Sequence, residues 1–160
     1  MGIAIGPLHV RRSILIDAPP ERVWREFATF ERLVDWFGTG HTLHAFEPRI
    51  GGHVDLSVVL DATGNPHASS GIERHFGGRV VVFDPQREIT FESNWFEADM
   101  RWPVPTFMTL RLTPLYDATH VEILHHGFER LGSAAADNLE GYEQGWDVHH
   151  LTRLRAIVGK

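Results

Sequence analysis

Histidine gives this chain most of its chemical potential. The 160 residues include 11 histidines and no cysteine, which excludes disulfides, thiolate nucleophiles and cysteine-ligated metals. The sequence contains no G-x-S-x-G elbow and no phosphate-binding glycine loop. The sequence leaves open acid–base chemistry or ligand binding by histidine, carboxylate or tyrosine side chains. No catalytic residue is assigned from these patterns.

The spacing of the histidines argues against a metal site built from near neighbours in the sequence. His125-His126 and His149-His150 are adjacent pairs, and adjacent side chains point to opposite faces of a strand or diverge by about 100° on a helix. His41 and His44 also diverge if they lie on a strand. No HExxH or facial-triad spacing occurs. We expect no metal and no cofactor, although a site assembled from distant segments stays open.

Strand parity selects one histidine as the inward one. In the last strand-like segment, Val121, Ile123 and His125 share a face. Because Val121 and Ile123 form a good core pair, we expect His125 to point inward. There it could act as an acid, a base or a hydrogen-bonding anchor. The alternative is a core histidine whose hydrogen bonds are satisfied by the backbone.

Aromatic side chains could line an apolar pocket near that histidine. By parity Phe91 and Trp95 share one strand face. Trp36 and Phe37 end a short helix, where pocket lining and helix anchoring are both open. Arg101 lies in the proline-containing segment from Phe96 to Pro105, which we interpret as a loop over an opening in the sheet, and its cation could hold a carboxylate-bearing ligand.

The run from Asp137 to Val158 is predicted to form a long amphipathic helix. Tyr142 and Trp146 fall on its apolar stripe, and His150 falls near the middle of that stripe. We expect His150 either to face a ligand or to be released by a π-type bulge that turns Leu151 inward. Tyr142, Trp146 and His150 are therefore candidate ligand-binding residues.

The rest of the chain supplies the elements that must position these residues. A first strand over His9–Asp17 precedes a helix over Pro20–Ala28 and a second helix over Glu31–Phe37. Period-two segments with glycine, proline and aspartate turns then predict six strands. They are Thr42–Glu47, His53–Leu60, Ile72–Phe83, Glu88–Trp95, Thr106–Leu115 and His120–Phe128.

The overall composition limits the partners. A formal net charge of −6 with no long basic cluster disfavours nucleic acid and anionic membrane surfaces. No apolar run approaches the length of a membrane span, and residues 1–10 lack a signal-peptide pattern. We expect a cytoplasmic protein with one domain over residues 1–160.

This order of elements resembles the START-related helix-grip (SRPBCC) superfamily. The similarity rests on ERVWREFATFERLVDWFG near the start, GGRVVVFDPQREITFESNW in the middle, and LHHGF followed by GYEQGW near the end. Within the superfamily, the chain is most similar to the bacterial branch of the family named for the activator of the heat-shock-protein ATPase. The resemblance implies an α+β fold in which a curved, seven-stranded antiparallel sheet wraps around a long C-terminal helix, with two short helices between strands 1 and 2. His125 matches the histidine of the family's H-x-G-F stretch.

The resemblance implies a broad range of functions, because the superfamily includes ligand binders, polyketide aromatase/cyclases and co-chaperones. We favour binding of a small apolar or aromatic molecule in the cavity between the sheet and the helix. A cyclase or dehydratase that uses a cavity histidine is the first alternative, and a chaperone-regulating module is the second. A homodimer stays open, and nothing in the sequence specifies a chaperone surface.

Overall fold

Seven strands form one curved antiparallel sheet in the computed structural model, which describes residues 2–37, 42–60, 71–135 and 149–159. The spatial order is β1-β7-β6-β5-β4-β3-β2, so the chain runs along the sheet in sequence order except that β1 pairs with β7. The predicted α+β helix-grip architecture is confirmed. The strands are β1 (His9–Ile16), β2 (Thr42–Phe46), β3 (His53–Leu60), β4 (Ile72–Asp84), β5 (Glu88–Trp95), β6 (Thr106–Leu115) and β7 (Ala118–His126).

The sequence predicted every strand to within two residues at each end, six of them from the period-two pattern. The largest shift is in β7, which was expected over His120–Phe128 and spans Ala118–His126. The strand ends there because Gly127 has a φ of 88°, in the left-handed region that favours glycine. A 3₁₀ segment over Phe128–Ala134 follows.

Two short helices lie between β1 and β2, as expected. Helix α1 (Pro20–Trp24) starts at a proline that fits the first helical turn. The sequence predicted this helix to continue as far as Ala28, but it tightens into a 3₁₀ turn over Arg25–Phe27. Helix α2 (Phe30–Phe37) agrees with the prediction to within one residue.

The last described helix is α3 (His149–Val158). It forms the C-terminal end of the long helix predicted over Asp137–Val158, and residues 137–148 lie outside the described residues. Leu151, Leu154 and Val158 are buried in the core, at the i, i+3, i+7 spacing of one helix face. None of the described helices has the length and apolarity of a membrane span.

The hydrophobic core lies between the concave face of the sheet, α2 and α3. Its strand residues alternate along each strand, as expected for a sheet with one face buried. The core cluster includes Leu43, Phe46, Val54, Leu56, Val80, Ile89, Phe91, Met108, Leu110, Leu112, Val121 and Ile123, together with Val23, Phe27, Leu33, Trp36 and Phe37.

A β-bulge interrupts the pairing of β2 with β3. Leu43 pairs with Leu56 but Ala45 pairs with Asp55, so His44 is the extra residue. The insertion lets both Leu43 and Phe46 reach the core, although they are three positions apart. It also sets the direction of His44, which lies on the opposite, convex face.

Candidate functional site

The concave face of the sheet presents a mainly apolar wall. Phe91, Met108 and Ile123 on neighbouring strands are no more than 2% exposed. At the end of this wall that lies near Trp95, three buried polar residues follow one another across β5, β6 and β7. We call Ser93, Thr106 and His125 the polar row. An apolar wall with few polar groups is typical of small-molecule pockets.

Within the polar row, hydrogen bonds determine the tautomer of His125. The Thr106 hydroxyl donates to the Ser93 carbonyl over 3.0 Å. Since a hydroxyl has one proton, Thr106 accepts from His125, whose Nε2 lies 2.8 Å from Oγ1. His125 is thus the Nε2–H tautomer, with its ring 4.7 Å from that of Phe128.

Burial keeps the His125 ring neutral. It lowers the pKa of His125 to about 3, and the neighbouring His126 contributes in the same direction. An imidazole with this pKa does not exchange protons near neutral pH, whereas a general acid or base works best with a pKa near the operating pH. His125 pairs with the core residue Met108 in the register of β6 and β7, which places it on the concave face as predicted, and the chemistry that suits it there is hydrogen bonding.

Of the two aromatic residues expected near His125, Phe91 is buried and Trp95 is partly exposed. Trp95 is half-buried and packs edge-on against Phe76, with ring centroids 5.4 Å apart. Asn94 fixes the following loop, because its side chain accepts from the Trp102 N–H at 2.9 Å and donates to the Trp102 carbonyl at 3.1 Å. The loop predicted over Phe96–Pro105 therefore crosses the end of β5.

Arg101, a residue of this loop, stabilises it by hydrogen bonds to backbone carbonyls. Its guanidinium donates to the carbonyl of Trp95 at 3.3 Å and to that of Phe96. The residue is exposed. A ligand carboxylate would have to compete with these two carbonyls for the cation.

The helical side of the core contains three of the predicted site residues, His150, Trp36 and Phe37. His150 is 7% exposed and lies beside Phe37, with ring centroids 5.7 Å apart. His150 and Leu151 are both buried, so inward placement of one does not release the other. Tyr142 and Trp146 lie outside the described residues. The predicted alternative of a bulge between Trp146 and Leu154 therefore also falls outside them.

Trp36 and Phe37 pack within an aromatic cluster. Trp36 is fully buried and donates its indole N–H to the Glu26 carbonyl at 2.8 Å. Its ring lies 4.9 Å from Phe27 and 5.5 Å from Phe37. These contacts anchor α2 to the core.

A second group of titratable residues, which sequence reasoning did not identify, lies on the convex face. His44 on β2 and Glu73 and His75 on β4 point toward each other across β3. One ligand atom from each residue lies within 4.8 Å of the other two. We call His44, Glu73 and His75 the convex-face cluster. Sequence spacing could not reveal it, because it depends on the bulge at His44 and on the pairing of three strands.

Two residues of β3, Asp55 and Ser57, form hydrogen bonds with the convex-face cluster. Asp55 accepts from His75 Nδ1 at 2.7 Å, and this hydrogen bond is the main cause that raises the pKa of His75 above its ordinary value. Ser57 donates to Glu73 at 2.8 Å and so accepts from His44 Nε2 at 2.7 Å. The hydrogen bond from Ser57 is the main cause that lowers the pKa of Glu73.

The edge of the sheet near the β4–β5 turn carries an open pocket of about 480 Å³. Its charged side chains include Arg87, Glu88 and Arg111, and Arg111 donates to Glu88 at 3.0 Å. None of the three residues of the polar row lines this pocket.

Comparison with known proteins identifies the family. The family model described as "Activator of Hsp90 ATPase homolog 1-like protein" matches residues 17–159. The chain belongs to this family. The expected SRPBCC-type resemblance is confirmed.

Solved structures share the fold over almost the whole chain. Protein CV1439 from Chromobacterium violaceum is 26% identical with a TM-score of 0.69, over 97% of this chain and 99% of that one. The Aha1 dimer from Colwellia psychrerythraea is 14% identical with a TM-score of 0.56, over 94% and 95%. DynU16, from the dynemicin biosynthetic locus, is 17% identical with a TM-score of 0.62, over 97% of this chain and 48% of DynU16. No curated protein sequence matches the chain.

Proposed function

We propose that the protein binds a small apolar or aromatic molecule between the concave face of the sheet and the C-terminal helix. The observation that supports this most directly is the polar row set at the end of an apolar wall. Phe91, Met108 and Ile123 offer apolar area, and His125 offers a neutral, oriented imidazole. Apolar contacts would supply most of the affinity, and the polar row would orient the ligand.

The proposed ligand site includes residues from both sides of the core. Phe91, Trp95 and His125 would contribute from the sheet, and Trp36, Phe37 and His150 from the helices. Tyr142 and Trp146 belong to the proposal through their place in the predicted long helix, and Arg101 would contribute from the loop over β5. A ligand that reaches His125 and Trp95 would lie along the inner face of β5, β6 and β7.

Binding is a better proposal than acid–base catalysis. A cyclase or dehydratase would need a cavity group that gains and loses a proton near neutral pH. The pKa of His125 is lowered to about 3, which leaves the imidazole uncharged at any physiological pH. A hydrogen-bonding role requires no titration.

Regulation of a chaperone, which the family description suggests, would require an exposed interface of roughly 800 Å² on this protein. The exposed large apolar side chains among the described residues come from five separate segments of the chain. They are Leu15, Ile50, Ile72, Leu115 and Tyr116, with Val34 at the margin of exposure on α2. Binding of a small molecule therefore has the stronger support.

Native mass spectrometry of gently purified protein tests the proposal. We expect a reproducible adduct of small-molecule mass that extraction into organic solvent releases. His125→Ala should lose the adduct, whereas His120→Ala, on the outward side of the same strand, should retain it. Circular dichroism must show that both variants are folded.

Thermal-shift titration of the purified protein with added compounds tests the case in which the ligand is lost on purification. The wild-type protein should show a rise in melting temperature with at least one member of a panel of apolar and aromatic compounds, and His125→Ala should reduce that rise. A clean apo mass at high protein concentration together with no thermal shift across the panel would overturn the binding proposal.

A further inference from the structure

The convex-face cluster has the composition of a metal site with open coordination positions. It brings together two imidazoles and one carboxylate from two strands that flank β3. Two histidines and one carboxylate are a common ligand set for Zn²⁺ and other divalent transition metals, with the remaining positions left to water or substrate. We propose that His44, Glu73 and His75 bind a divalent transition metal such as Zn²⁺ on the convex face of the sheet.

The distances between the donor atoms are close to those that a metal requires. Ligands about 2.0–2.1 Å from a tetrahedral ion lie about 3.3 Å from each other. His75 Nε2 lies 3.6 Å from Glu73 Oε1, and His44 Nε2 lies 3.7 Å from Glu73 Oε2. The two imidazole rings lie side by side, with centroids 4.8 Å apart. The three donor atoms lie within 4.8 Å of one another, so side-chain rotations that move them by about an ångström would bring all three onto one ion.

His75 is already oriented as a metal ligand. Its Nδ1 donates to Asp55 Oδ1 at 2.7 Å, which directs Nε2 toward Glu73. A carboxylate that accepts from the far nitrogen of a histidine is the usual support for a metal-bound imidazole, because it fixes the ring and increases its basicity. In neutral His75 the Nε2 lone pair faces a carboxylate oxygen, an arrangement that a cation between the two atoms would stabilise.

His44 needs one rearrangement before it can bind the metal. Its Nε2 now donates to Ser57, which in turn donates to Glu73. On metal binding the Nε2–H bond would be given up and the proton would move to Nδ1, so that His44 stays neutral. Ser57 would keep its hydrogen bond to Glu73 and hold the carboxylate in position.

Charge and exposure also favour a bound cation. Asp55 and Glu73 place two negative charges around two imidazoles, and a divalent ion would balance them. The side chains of His44, Glu73 and His75 are 35%, 52% and 31% exposed. A metal could therefore enter without unfolding, and the exposed side would hold water. The bulge at His44 provides this geometry, and bulges often redirect side chains at functional positions.

The site is independent of the proposed ligand pocket. His75 projects from the convex face of β4, whereas Phe76, the next residue, packs with Trp95 on the concave face. Loss of the metal site should therefore leave small-molecule binding unchanged, and failure of either proposal can be recognised separately.

Isothermal titration calorimetry of chelator-treated protein with Zn²⁺, supported by the visible spectrum with Co²⁺, tests the proposal. We expect one Zn²⁺ per chain and a Co²⁺ spectrum with nitrogen and oxygen ligands. His75→Ala, His44→Ala and Glu73→Gln should each weaken this binding by at least 10-fold. Asp55→Asn, which removes the support of His75 but no ligand, should weaken it by about 10- to 100-fold.

The other histidines provide the control. His120 has a carboxylate partner, since its Nδ1 lies 3.9 Å from Glu122, and His120→Ala should leave the affinity for Zn²⁺ unchanged. If wild-type protein and the His44→Ala/His75→Ala double variant bind Zn²⁺ with equal stoichiometry and affinity, or if His120→Ala has the larger effect, the proposal is wrong. Because none of the three ligands is buried, circular dichroism should show all variants folded, and Glu73→Gln preserves the side-chain shape.

Discussion

The His125 imidazole donates its Nε2–H to the Thr106 hydroxyl, 2.8 Å away on the neighbouring strand. The Thr106 hydroxyl in turn donates a hydrogen bond to the Ser93 carbonyl, so the three residues form a one-directional chain inside the core. A buried donor without an acceptor costs more than an ordinary hydrogen bond contributes. The position of His125 is thus coupled to the Thr106 hydroxyl.

Thr106→Val should reduce the stability of the protein. The substitution retains the side-chain shape but leaves the His125 Nε2–H without its acceptor, which should lower the free energy of unfolding by about 1–3 kcal/mol. Urea unfolding followed by circular dichroism measures the change. Thr113→Val, at an exposed position of the same strand, is the control and should change stability by less than about 0.5 kcal/mol. Equal effects at the two positions would contradict the hydrogen-bond chain.

Stability should fall as the pH is lowered from about 6.5 toward 4. Burial lowers the pKa of His125 to about 3 and that of His126 to about 4, from an ordinary value of 6.5. Over most of this window the unfolded chain binds protons at both histidines and the folded chain does not, until His126 begins to titrate near pH 4. The loss should be at most about 1.4 kcal/mol per pH unit for each histidine. Besides burial, Arg111 and His9 lower the pKa of His126 and Glu129 raises it.

Glutamine variants test the source of this pH dependence. His125→Gln keeps a donor for Thr106 but removes the titrating group, and His126→Gln does the same beside Thr109, whose hydroxyl lies 2.8 Å from His126 Nε2. Each should make the dependence of the unfolding free energy on pH shallower between pH 6.5 and 5, above the range where most carboxylates titrate. The slope should stay unchanged in Thr113→Val. If neither glutamine variant alters the slope, the two histidines do not carry it.

The sheet and the inward side of β7 could be predicted because they depend on local patterns. Alternation of apolar and polar residues with period two identifies strands and faces without knowledge of their partners. His125 follows Val121 and Ile123 on an unbroken strand, so parity gave its direction correctly. The end of the first helix was harder to predict from the sequence, because a change from an α-helix to a 3₁₀ turn over Arg25–Phe27 depends on packing.

The convex-face cluster could not be predicted because it depends on register. Ser57 pairs with His75, which places Glu73 and His75 beside β3. The bulge then shifts His44 to the same face. Neither the pairing nor the bulge has a local signature in the sequence. Glu73 and His75 are 2 residues apart and His44 is 29 residues before Glu73, and this spacing does not indicate a metal site.

Glu26 is a further residue whose role depends on packing rather than on local pattern. It is fully buried, and it accepts from Arg22 at 2.8 Å and from Arg32 at 3.4 Å. Arg22 also approaches the Ile157 carbonyl at 3.5 Å, which connects α1 with α3. The carboxylate therefore holds two cations at the junction of three helices.

Glu26→Ala should lower the free energy of unfolding by about 2 kcal/mol or more, because it leaves the half-buried Arg22 without its partner. Glu26→Gln, which keeps an acceptor, should have a smaller effect. Glu31→Ala, at an exposed position of α2, is the control and should be nearly neutral. Equal stability of Glu26→Ala and Glu31→Ala in urea unfolding would show that the buried pair contributes nothing.

Gly77 in β4 should tolerate alanine less well than Gly51 does. Both have a positive φ, 139° for Gly77 and 79° for Gly51, so each substitution introduces backbone strain of about 1–2 kcal/mol. A Cβ on Gly77 would also press against the Val54 carbonyl, whereas one on Gly51 would meet nothing within 4 Å. Gly77→Ala should therefore lower the free energy of unfolding by at least about 1 kcal/mol more than Gly51→Ala. Urea midpoints for the two variants measure the difference, and equal midpoints would mean that β3 and β4 separate without cost to accommodate the methyl group.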